Sequence, residues 1–500
     1  MDDQHTALSL LRTALNDPNA RFRDGQLEAI EAITRENRTC LVVQHTGWGK
    51  SLVYFIATKI LRDRGQGPTL IISPLLSLMR NQIAAAKQLG LTARSINSTN
   101  TNEWQEIESA VADNAVDALL ISPERLGNER FYDNVLSVVG QGVGLVVVDE
   151  AHLISEWGHD FRPDYRRLVN VLQNMPGNLP VLGTTATAND RVIADVRQQL
   201  GDITVQRGPL SRTNLALQTL KLPDQAARLA WLLEKVPKLP GSGIIYTLTQ
   251  RDAETVANWL HANGIDAHAY HAGVQHPDFV DDKGNPDKNA YRQRLEDLLQ
   301  TNEVKVLVAT TALAMGYDKP DLSFVIHYQA PGSTISYYQQ VGRAGRGIPW
   351  AYGILLTGEE DAEINAHFRK AAFPAEADVS AVLDALADSE DGLSTRELET
   401  AVNLPQGKID HILKYLKVEN PSPIYKENRE KQADKWKRTT HQYSMDHAWI
   451  DRITRQRKQE WQEIQDYMET DSCLMGFLAE SLNDPYWEPC GICANCAGQE

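Results

Sequence analysis

Short apolar runs recur along the chain as far as residue 328, separated by helix-compatible segments. They occupy residues 41–43, 69–72, 118–121, 145–148, 181–185, 243–247, 304–309 and 324–328. Most are rich in Val, Ile and Leu, and helical patterns such as that of 251–260 lie between them. Strands that alternate with helices predict parallel sheets covered by helices on both faces. We therefore predict an α/β fold with two lobes, over residues 1–208 and 209–370.

The pattern changes after residue 370. Ser394, with Glu397 three positions later, predicts a capped helix, and residues 405–418 carry apolar side chains at helical spacing. The segments 423–425 and 436–443 can pair as a basic β-ribbon. Two helices and a ribbon predict a winged-helix-like module over residues 371–446. Such modules often bind DNA, although a structural spacer would have the same pattern.

The composition narrows the class of protein. The chain has 500 residues, a net charge of −16 and the apolar and charged fractions of an ordinary globular protein. It begins with acidic and polar residues, and no apolar run approaches the roughly 20 residues that cross a bilayer. We expect a cytosolic protein with no membrane partner. The sequence does not define the oligomeric state, and a monomer is the simplest expectation.

The negative net charge argues mildly against a nucleic-acid partner, but the charge is unevenly distributed. Residues 425–458 contain ten Lys and Arg residues. Such a basic stretch can direct a polyanion to one face, and a solvated charged surface explains it equally well. Within it, Trp436 and Tyr443 are candidates for a wedge at a duplex fork, or for core packing.

The stretch 41–60 combines an apolar strand, a glycine-containing turn and a helix. This arrangement directs backbone N–H groups and the positive end of the helix at one point, which favours a phosphate. In Thr46-Gly47-Trp48-Gly49-Lys50-Ser51, Lys50 would contact the β- and γ-phosphates and Ser51 would bind Mg²⁺. A chance glycine-rich turn is the alternative, because Gln44 replaces the first glycine of the usual pattern.

Asp149-Glu150-Ala151-His152 follows another buried-type strand, 99 residues after Lys50. Ligands of parallel sheets bind at the carboxyl ends of the strands. There, Asp149 can hold Mg²⁺, and Glu150 can orient or deprotonate an attacking water. The two motifs together predict a nucleoside triphosphate site far more specifically than either does alone.

Two further pairs of residues suit a nucleotide. The turn 339–347 presents Arg343 and Arg346, and arginines from a neighbouring lobe can stabilise charge on a transferring γ-phosphoryl. Arg23 and Gln26 precede the phosphate loop and could read an adenine edge, because an amide donates and accepts at once. Surface polarity explains Arg23 and Gln26 equally well.

The four C-terminal cysteines form a group of their own. Cys473 is followed after sixteen residues by Cys490-x₂-Cys493-x₂-Cys496. Four thiolates at these spacings can close a tetrahedral Zn²⁺ site, and disulfides are disfavoured in a reducing cytosol. We predict a structural zinc site, with an iron–sulfur cluster as the main rival. A long, charged, helix-compatible stretch precedes the cysteines and could act as a brace between the lobes. This brace helix and the four-cysteine site would together form a module over residues 447–500.

Taken in order from Phe22 to Arg346, these motifs resemble those of the RecQ family of superfamily 2 helicases. Residues 22–26 resemble the family's adenine-reading motif, 46–51 its phosphate loop and 149–152 its DEAH box. Residues 73–79 and 123–126 are similar to DNA-contact motifs, and 309–320 and 339–346 to the last two helicase motifs. The most specific match is 155–163, which resembles the aromatic-rich loop that couples single-strand binding to hydrolysis. The Trp157, His159 and Phe161 side chains of this loop offer stacking planes that tolerate any base, and Arg162 is a further candidate DNA contact in the same loop.

The resemblance implies two RecA-like lobes that bind ATP and Mg²⁺ in the cleft between them. It implies arginine fingers at Arg343 and Arg346 and a ribose contact for Asp318. It also implies 3′-to-5′ movement on single-stranded DNA and unwinding of duplex DNA in repair or recombination, which would place the protein at the nucleoid. The DNA would cross both lobes and touch Ser73, Arg125, the aromatic-rich loop and Arg251.

The chain departs from the family pattern at several places. Trp48 stands where a glycine is usual, and the loop 276–290 is longer than the pattern needs. The aromatic residue that the family places shortly before Arg23, to stack on adenine, is missing, and Asn19 lies near that place. The zinc module normally precedes the winged helix, and here the order is reversed. Two other functions fit the same motifs. One is a translocase or RNA helicase, and the other is a DNA-binding protein whose nucleotide site only switches its conformation.

Overall fold

The structure is a computed structural model that describes residues 3–74, 76–97, 100–123, 125, 142–154, 172, 179–201, 203–281, 284–313, 317–417, 419, 421–427 and 434–498. Its first lobe is built around a parallel sheet with strand order β3-β4-β2-β5-β6-β1-β7. The strands are β1 (Cys40–Val43), β2 (Thr69–Ile72), β3 (Ala93–Ile96), β4 (Ala118–Ile121), β5 (Leu145–Asp149), β6 (Val181–Thr185) and β7 (Thr204–Arg207). The helices are α1 (Asp3–Leu15), α2 (Gln26–Thr34), α3 (Lys50–Asp63), α4 (Leu76–Gln88), α5 (Trp104–Ala112) and α6 (Asp190–Leu200).

The second lobe has its own parallel sheet, with strand order β10-β11-β9-β12-β13-β8. Its strands are β8 (Leu215–Lys221), β9 (Gly243–Tyr246), β10 (Ala267–Tyr270), β11 (Val306–Ala309), β12 (Phe324–His327) and β13 (Ala351–Thr357). Its helices are α7 (Gln225–Lys235), α8 (Gln250–Ala262), α9 (Lys288–Gln300), α10 (Thr334–Val341) and α11 (Glu360–Ala371). The α/β fold with two parallel-sheet, RecA-like lobes is confirmed.

Alternation along the strands explains why both faces of each sheet are covered. Along β1, Leu41 and Val43 belong to one apolar core of the first lobe, and Cys40 and Val42 belong to the other. Successive strand side chains point to opposite faces, so a strand buried on both sides is a continuous apolar run. The same alternation divides the cores of the second lobe. Continuous runs of this kind therefore signal a doubly covered parallel sheet.

The C-terminal segment packs into the second lobe. It contains the end of α15 (His447–Glu469), α16 (Leu474–Ser481) and the short α17 (Ala494–Ala497). Leu474, Met475 and Leu478 of α16 are fully buried in the core that also holds Tyr246 and Val341. The Tyr467 ring lies 5.2 Å from the ring of Tyr337 of α10. The cysteine-bearing segment is therefore part of the hydrophobic core of this lobe.

Residues 362–459 form a second compact unit with its own core. It contains α12 (Glu376–Ala387), α13 (Thr395–Val402) and α14 (Gln406–Lys417), and an antiparallel ribbon of β14 (Ile424–Glu427) and β15 (Lys435–Arg438). The Ser394–Glu397 capping box that starts α13 is present. Trp436 and Tyr443 are partly buried against the core of this unit, which favours packing over a wedge for these two residues.

The ribbon is less basic than its sequence suggests. Lys435 contacts Glu397 at 2.7 Å, Lys426 contacts Asp434 at 2.7 Å, and a third pair joins Lys437 and Glu427. Exposed pairs of this kind add little stability, but they reduce the positive field of the ribbon. The basic character of this unit therefore depends on its other lysines and arginines.

Two smaller features complete the fold. Within the long loop predicted at 276–290, Val280 and Pro286 form a short antiparallel bridge, and the Asp287 side chain caps α9. Among the described residues, no helix is both long enough and apolar enough to cross a membrane.

Candidate nucleotide-binding site

The phosphate loop connects the end of β1 to the start of α3. Gly47 and Gly49 have φ of +83° and +98°, a region that L side chains rarely adopt, so glycine suits both positions. The Lys50 ammonium donates to the carbonyl oxygens of Gln44, at 2.8 Å, and His45, at 3.3 Å. Burial lowers the pKa of Lys50 to about 8, while the nearby Glu150 and Asp149 carboxylates oppose this shift. The lysine is therefore held by carbonyl groups of its own loop.

Trp48, at the position where a glycine is usual, anchors the loop to the segment before α2. Its ring is buried in the core, and its indole N–H donates to the Asp24 carbonyl at 3.2 Å. The Gln26 amide donates to the Trp48 carbonyl at 2.9 Å and accepts from the Arg23 N–H at 2.9 Å. Arg23 bonds the Gly47 carbonyl. Gln26 and Arg23 therefore hold the loop, and neither is among the described side chains that line the nucleotide cavity.

The Asp149 carboxylate, at the end of β5, is buried in a network of donors. Its oxygens accept from the Thr184 hydroxyl at 2.7 Å and from the Gln82 amide at 2.9 Å, and Gln82 also donates to the Tyr54 hydroxyl at 2.8 Å. Burial, and then the Glu150 carboxylate, raise the pKa of Asp149 to about 6. A buried carboxylate beside a second acid attracts a divalent cation, because the cation relieves both the desolvation and the repulsion.

Glu150 has an unusual backbone conformation for a bulky residue, with φ of +53°. The turn lets its N–H donate to Asp149 at 3.1 Å. Its carboxylate lies 3.4 Å from the His152 ring, and both Glu150 and Asp149 line the cavity. Backbone strain of this kind is found at functional sites, where it fixes the direction of a side chain.

Arg343 and Arg346 of the second lobe reach the same cavity. Arg343 is buried and donates to the Tyr317 carbonyl at 2.7 Å. Arg346 packs over the phosphate loop and pairs with Asp318 at 2.7 Å; a Cβ added at Gly47 would lie 3.6 Å from its side chain. The two arginines that the sequence singles out thus face the lysine-bearing loop across the seam between the lobes.

The cavity at this seam has a volume of about 320 Å³. Thr46, Gly47, Gly49, Lys50 and Ser51 line it from the phosphate loop. Asp149 and Glu150 contribute carboxylates from β5, and Asp318, Arg343 and Arg346 come from the second lobe. A pocket with cationic donors opposite a carboxylate pair can hold a polyphosphate with a divalent cation.

The sequence motifs did not reveal the residues that hold the arginine turn. The buried Arg212 donates to the Gly345 carbonyl at 2.6 Å and to the Ala344 carbonyl at 3.2 Å. The Asn214 amide donates to Gly345 at 2.6 Å and to Ile348 at 2.8 Å. Neither residue belongs to a recognisable motif, and the only signal was a polar pair just before the apolar run of β8.

Direct hydrogen bonds join the two lobes beside the cavity. The Thr46 hydroxyl donates to the Gly342 carbonyl at 2.7 Å. The Gln339 amide lies 3.2 Å from the His152 ring and 2.5 Å from the Thr187 hydroxyl. The turn after β6 and the last residue of the DEAH motif therefore contact the helix that leads to the arginines.

The candidate DNA contacts are dispersed. Ser73 is fully buried, and its hydroxyl has no hydrogen-bond partner among the described residues. Arg125 stacks on Trp104, with 3.9 Å between the guanidinium carbon and the ring centre. Arg251 is exposed in the first turn of α8. Four further candidates lie outside the described residues; they are Trp157, His159, Phe161 and Arg162.

The four C-terminal cysteines come together. The sulfur atoms of Cys473, Cys490, Cys493 and Cys496 all lie within 4.8 Å of one another. Backbone N–H groups point at three of these sulfurs; for example, those of Gly476 and Cys490 lie 3.3 Å from Cys473 Sγ. Four sulfurs at this spacing fit a tetrahedral site with metal–sulfur bonds of about 2.3 Å.

Two family models match the two lobes. The model described as DEAD/DEAH box helicase matches residues 23–196, and the model described as helicase conserved C-terminal domain matches residues 227–347. The M. smegmatis helicase Lhr, solved with ssDNA and AMP-PNP, superposes with a TM-score of 0.56 and 20% identity over 89% of this chain and 61% of that chain. At this identity the superposition shows the fold alone. The first lobe thus matches the DEAD/DEAH box helicase family, and the second matches the helicase conserved C-terminal domain family.

Within that class the curated relatives are of RecQ type. The chain is 34% identical to the ATP-dependent DNA helicase RecQ of Bacillus subtilis, over 68% of this chain and 54% of that protein. It is also 34% identical to the ATP-dependent DNA helicase Q1 of Mus musculus, over 68% of this chain and 51% of that protein. The chain thus matches about half the length of these relatives. The resemblance to the RecQ family that the motifs indicated is confirmed.

Proposed function

We propose that this chain is an ATP-dependent DNA helicase of RecQ type, which moves 3′-to-5′ on single-stranded DNA and unwinds duplex DNA in repair or recombination. One observation carries the proposal. Lys50, Asp149 and Glu150 of the first lobe and Arg343 and Arg346 of the second line a single cavity at the seam. A site shared by two lobes can couple hydrolysis to lobe movement, and the activity named for the relatives supports this function.

The residues of the cavity suit the parts of a phosphoryl-transfer site. Lys50 would leave the loop carbonyls and donate to the β- and γ-phosphates. Arg343 and Arg346 would donate to the transferring phosphoryl group, and arginines in this role can contribute roughly 10³–10⁵ in rate. Glu150 would orient the attacking water and accept its proton. Asp318 would contact the ribose after releasing Arg346. Arg23 and Gln26 would contact the adenine edge after exchanging their bonds to the phosphate loop for bonds to the base.

Asp149 and Ser51 would hold Mg²⁺ at the same place. Carboxylate and hydroxyl oxygens are the donors that this ion prefers, and both residues line the cavity. The ion, when bound, would neutralise charge on the triphosphate. Thr184 and Gln82 would keep the Asp149 oxygens directed at it through the bonds that they already make.

The remaining assignments extend this proposal. Lobes at residues 1–208 and 209–370 would be followed by a winged-helix-like DNA-binding module at 371–446 and by a brace helix with the cysteine module at 447–500. The helices and the antiparallel ribbon within residues 376–438 support the winged-helix-like module. Single-stranded DNA would contact Ser73, Arg125, Arg251 and the aromatic-rich loop, and the protein would act at the nucleoid.

The cysteine cluster would hold zinc in a structural role. All four positions are thiols, so no ligand position is left for a substrate, and N–H groups aimed at the sulfurs favour thiolates. An iron–sulfur cluster uses the same donor set. Metal analysis of the purified protein and its visible absorption spectrum distinguish the two, since zinc gives no visible band.

The test of the function is ATP hydrolysis in the presence of single-stranded DNA or RNA of equal length. We expect DNA to stimulate hydrolysis and RNA to do so weakly. Lys50→Ala should abolish hydrolysis and unwinding while DNA binding persists, because the phosphates lose their cationic donor. Lys59→Ala is the matched control, since Lys59 lies on the same helix and pairs with Asp63.

Each other outcome points to a different function. Stronger stimulation by RNA would make the chain an RNA helicase. DNA-stimulated hydrolysis without strand separation would make it a translocase. DNA binding that responds to ATP, with no hydrolysis at all, would leave a nucleotide-switched DNA-binding protein and overturn the proposal.

A further inference from the structure

An indole and a guanidinium stack at the carboxyl edge of the first sheet. The Arg125 guanidinium carbon lies 3.9 Å from the centre of the Trp104 ring. Trp104 is the first residue of α5. Arg125 follows β4, and its backbone N–H donates to the Ser122 carbonyl at 3.0 Å. Trp104 has no part in the nucleotide site or in the cysteine cluster, so neither accounts for this stack.

Trp104 is held by the edge of its ring. Its indole N–H is shared between the Asn97 carbonyl, at 2.9 Å, and the Asn100 side-chain oxygen, at 3.2 Å. Asn100 is itself fixed, because it accepts from the Asn97 N–H at 3.0 Å and donates to the Ser95 carbonyl at 2.7 Å. The plane of the indole is therefore set by Asn97 and Asn100, and one face of the ring meets the arginine.

Stacking fixes the direction of a guanidinium without using its N–H groups. The guanidinium interacts with the ring through its face, and this contact sets the plane in which its N–H donors point. An arginine that is ordered in advance loses less conformational entropy when it binds a planar pair of phosphate oxygens. Arg125 also lies at the same edge of the sheet as Lys50 and Asp149, where parallel sheets bind their ligands.

We propose that Trp104 is a positioning residue for DNA binding, whose ring holds the Arg125 guanidinium in the orientation that donates to a phosphate of single-stranded DNA. This inference rests on the proposed function, since it takes DNA as the bound polymer. The competing explanation is a structural clamp, in which the stack only ties α5 to the end of β4. The two explanations differ in whether the effect of Trp104 on DNA binding depends on Arg125.

A double-mutant cycle separates them. The dissociation constant of a fluorescent oligothymidylate is measured for the wild type, Trp104→Leu, Arg125→Ala and the double variant. We expect Trp104→Leu to weaken binding about two- to fivefold, the range for a cation–π contact, and Arg125→Ala to weaken it at least as much. The double variant should bind no more weakly than Arg125→Ala alone, because the ring acts only through the arginine.

Two readouts distinguish positioning from a general loss of structure. Trp104→Leu should raise the DNA concentration that gives half-maximal stimulation of hydrolysis and leave the maximal rate unchanged. Trp104→Tyr, which keeps an aromatic face, should bind DNA nearly as the wild type does. Trp259→Leu is the control, because it makes the same change at an exposed tryptophan of the second lobe.

Specific results of these measurements would overturn the proposed role of Trp104. Losses that add in the double variant overturn the inference, and so does unchanged DNA affinity in Trp104→Leu. If Trp104→Leu does not fold, Arg125→Lys takes its place, since lysine keeps the charge and gives up the planar stack; full affinity in that variant contradicts the inference. A wild-type protein that binds no DNA overturns the proposed function as well, whereas additive losses in a DNA-binding protein overturn only the role of Trp104.

Discussion

Two charged residues of the nucleotide site are held in the protein at a cost to stability. Burial raises the pKa of Asp149 from 3.8 to about 6 and lowers the pKa of Lys50 from 10.5 to about 8. The raised acid pKa means that the folded state loses stability as the pH rises from 3.8 to about 6. The lowered lysine pKa means that it loses stability as the pH falls from 10.5 to about 8. Between pH 6 and 8 both costs are present.

We therefore expect Asp149→Asn to stabilise the nucleotide-free protein at neutral pH while abolishing ATP hydrolysis. Asparagine keeps the shape and the bond from Thr184, and the Gln82 amide can turn to offer its oxygen, which has no partner among the described residues. The expected gain in unfolding free energy at pH 7.5 is on the order of 1–3 kcal/mol, and it should be smaller at pH 5. Denaturant titrations at the two pH values measure it.

The control for this prediction is Asp63→Asn, at an exposed acid of α3 that pairs with Lys59. It should change stability little at either pH. The quantity compared is the unfolding free energy of Asp149→Asn minus that of the wild type. If this difference were smaller at pH 7.5 than at pH 5, it would contradict the account of the site.

Motif chemistry could be predicted from the sequence residue by residue, whereas the partners of unusual residues could not. The phosphate loop at Lys50 and the acids at 149–150 are recognisable from local sequence patterns. Both line the cavity, as expected from a phosphate loop followed along the chain by an acidic motif. Trp48 gave no such signal, because its role depends on the Asp24 carbonyl and on a core assembled from distant segments. Gln44 is similar, since its amide occupies the space where a side chain at Gly208 would lie.

At the scale of elements, the arginine turn after α10 owes its position to a segment far away in the chain. Gly345, with φ of +71°, directs its carbonyl at Arg212 and Asn214, which precede β8. A buried carbonyl group costs stability when it is unpaired, so these donors stabilise the turn that carries Arg343 and Arg346. A helicase motif thus depends on two residues outside any motif.

Replacing this donor set should lower the rate of hydrolysis more than the affinity for ATP. We expect Arg212→Lys to reduce kcat on the order of 10–100-fold, because lysine cannot reach several carbonyls at once and small displacements of catalytic groups are costly. The KM for ATP should change little, since Lys50 and its loop are untouched. Steady-state kinetics decide between this result and an effect confined to KM, which would place Arg212 in nucleotide binding instead.

The cysteine module is a second element whose role follows from its packing. Cys493 and the helix α16 are buried in the core of the second lobe. A module that only decorated the surface could lose its metal without consequence for the lobe. Here the metal would hold together a part of the core that also contains α10, the helix before the arginine turn.

Removal of zinc should therefore impair hydrolysis as well as unwinding. The purified protein should contain roughly one zinc ion per chain, and a strong chelator or Cys490→Ser should lower the melting temperature and the DNA-stimulated ATPase rate together. Cys40→Ser is the control, since Cys40 is buried in the other lobe. An ATPase rate that survives complete loss of zinc would mean that the lobe does not depend on the module.

At the scale of the whole molecule, the sequence was most informative where periodicity and motif order agree. Eight apolar runs predicted the two parallel sheets, and the order of the motifs predicted a shared site at their seam. The lobe contacts that close this site were not predictable, because bonds such as Thr46 to Gly342 join residues 296 positions apart. The basic ribbon was predictable as a strand pair, but the acids that pair with its lysines were not.

The central claim is that two lobes bind a nucleoside triphosphate at their seam and use its hydrolysis to move along DNA. Strand displacement from 3′-tailed, 5′-tailed and blunt duplexes, with and without ATP, tests it most directly. We expect ATP-dependent separation of the 3′-tailed duplex, and none by Lys50→Ala or by Arg346→Ala. Strand separation that persists in Lys50→Ala, or a wild type that hydrolyses ATP on DNA yet separates no duplex, would contradict the claim.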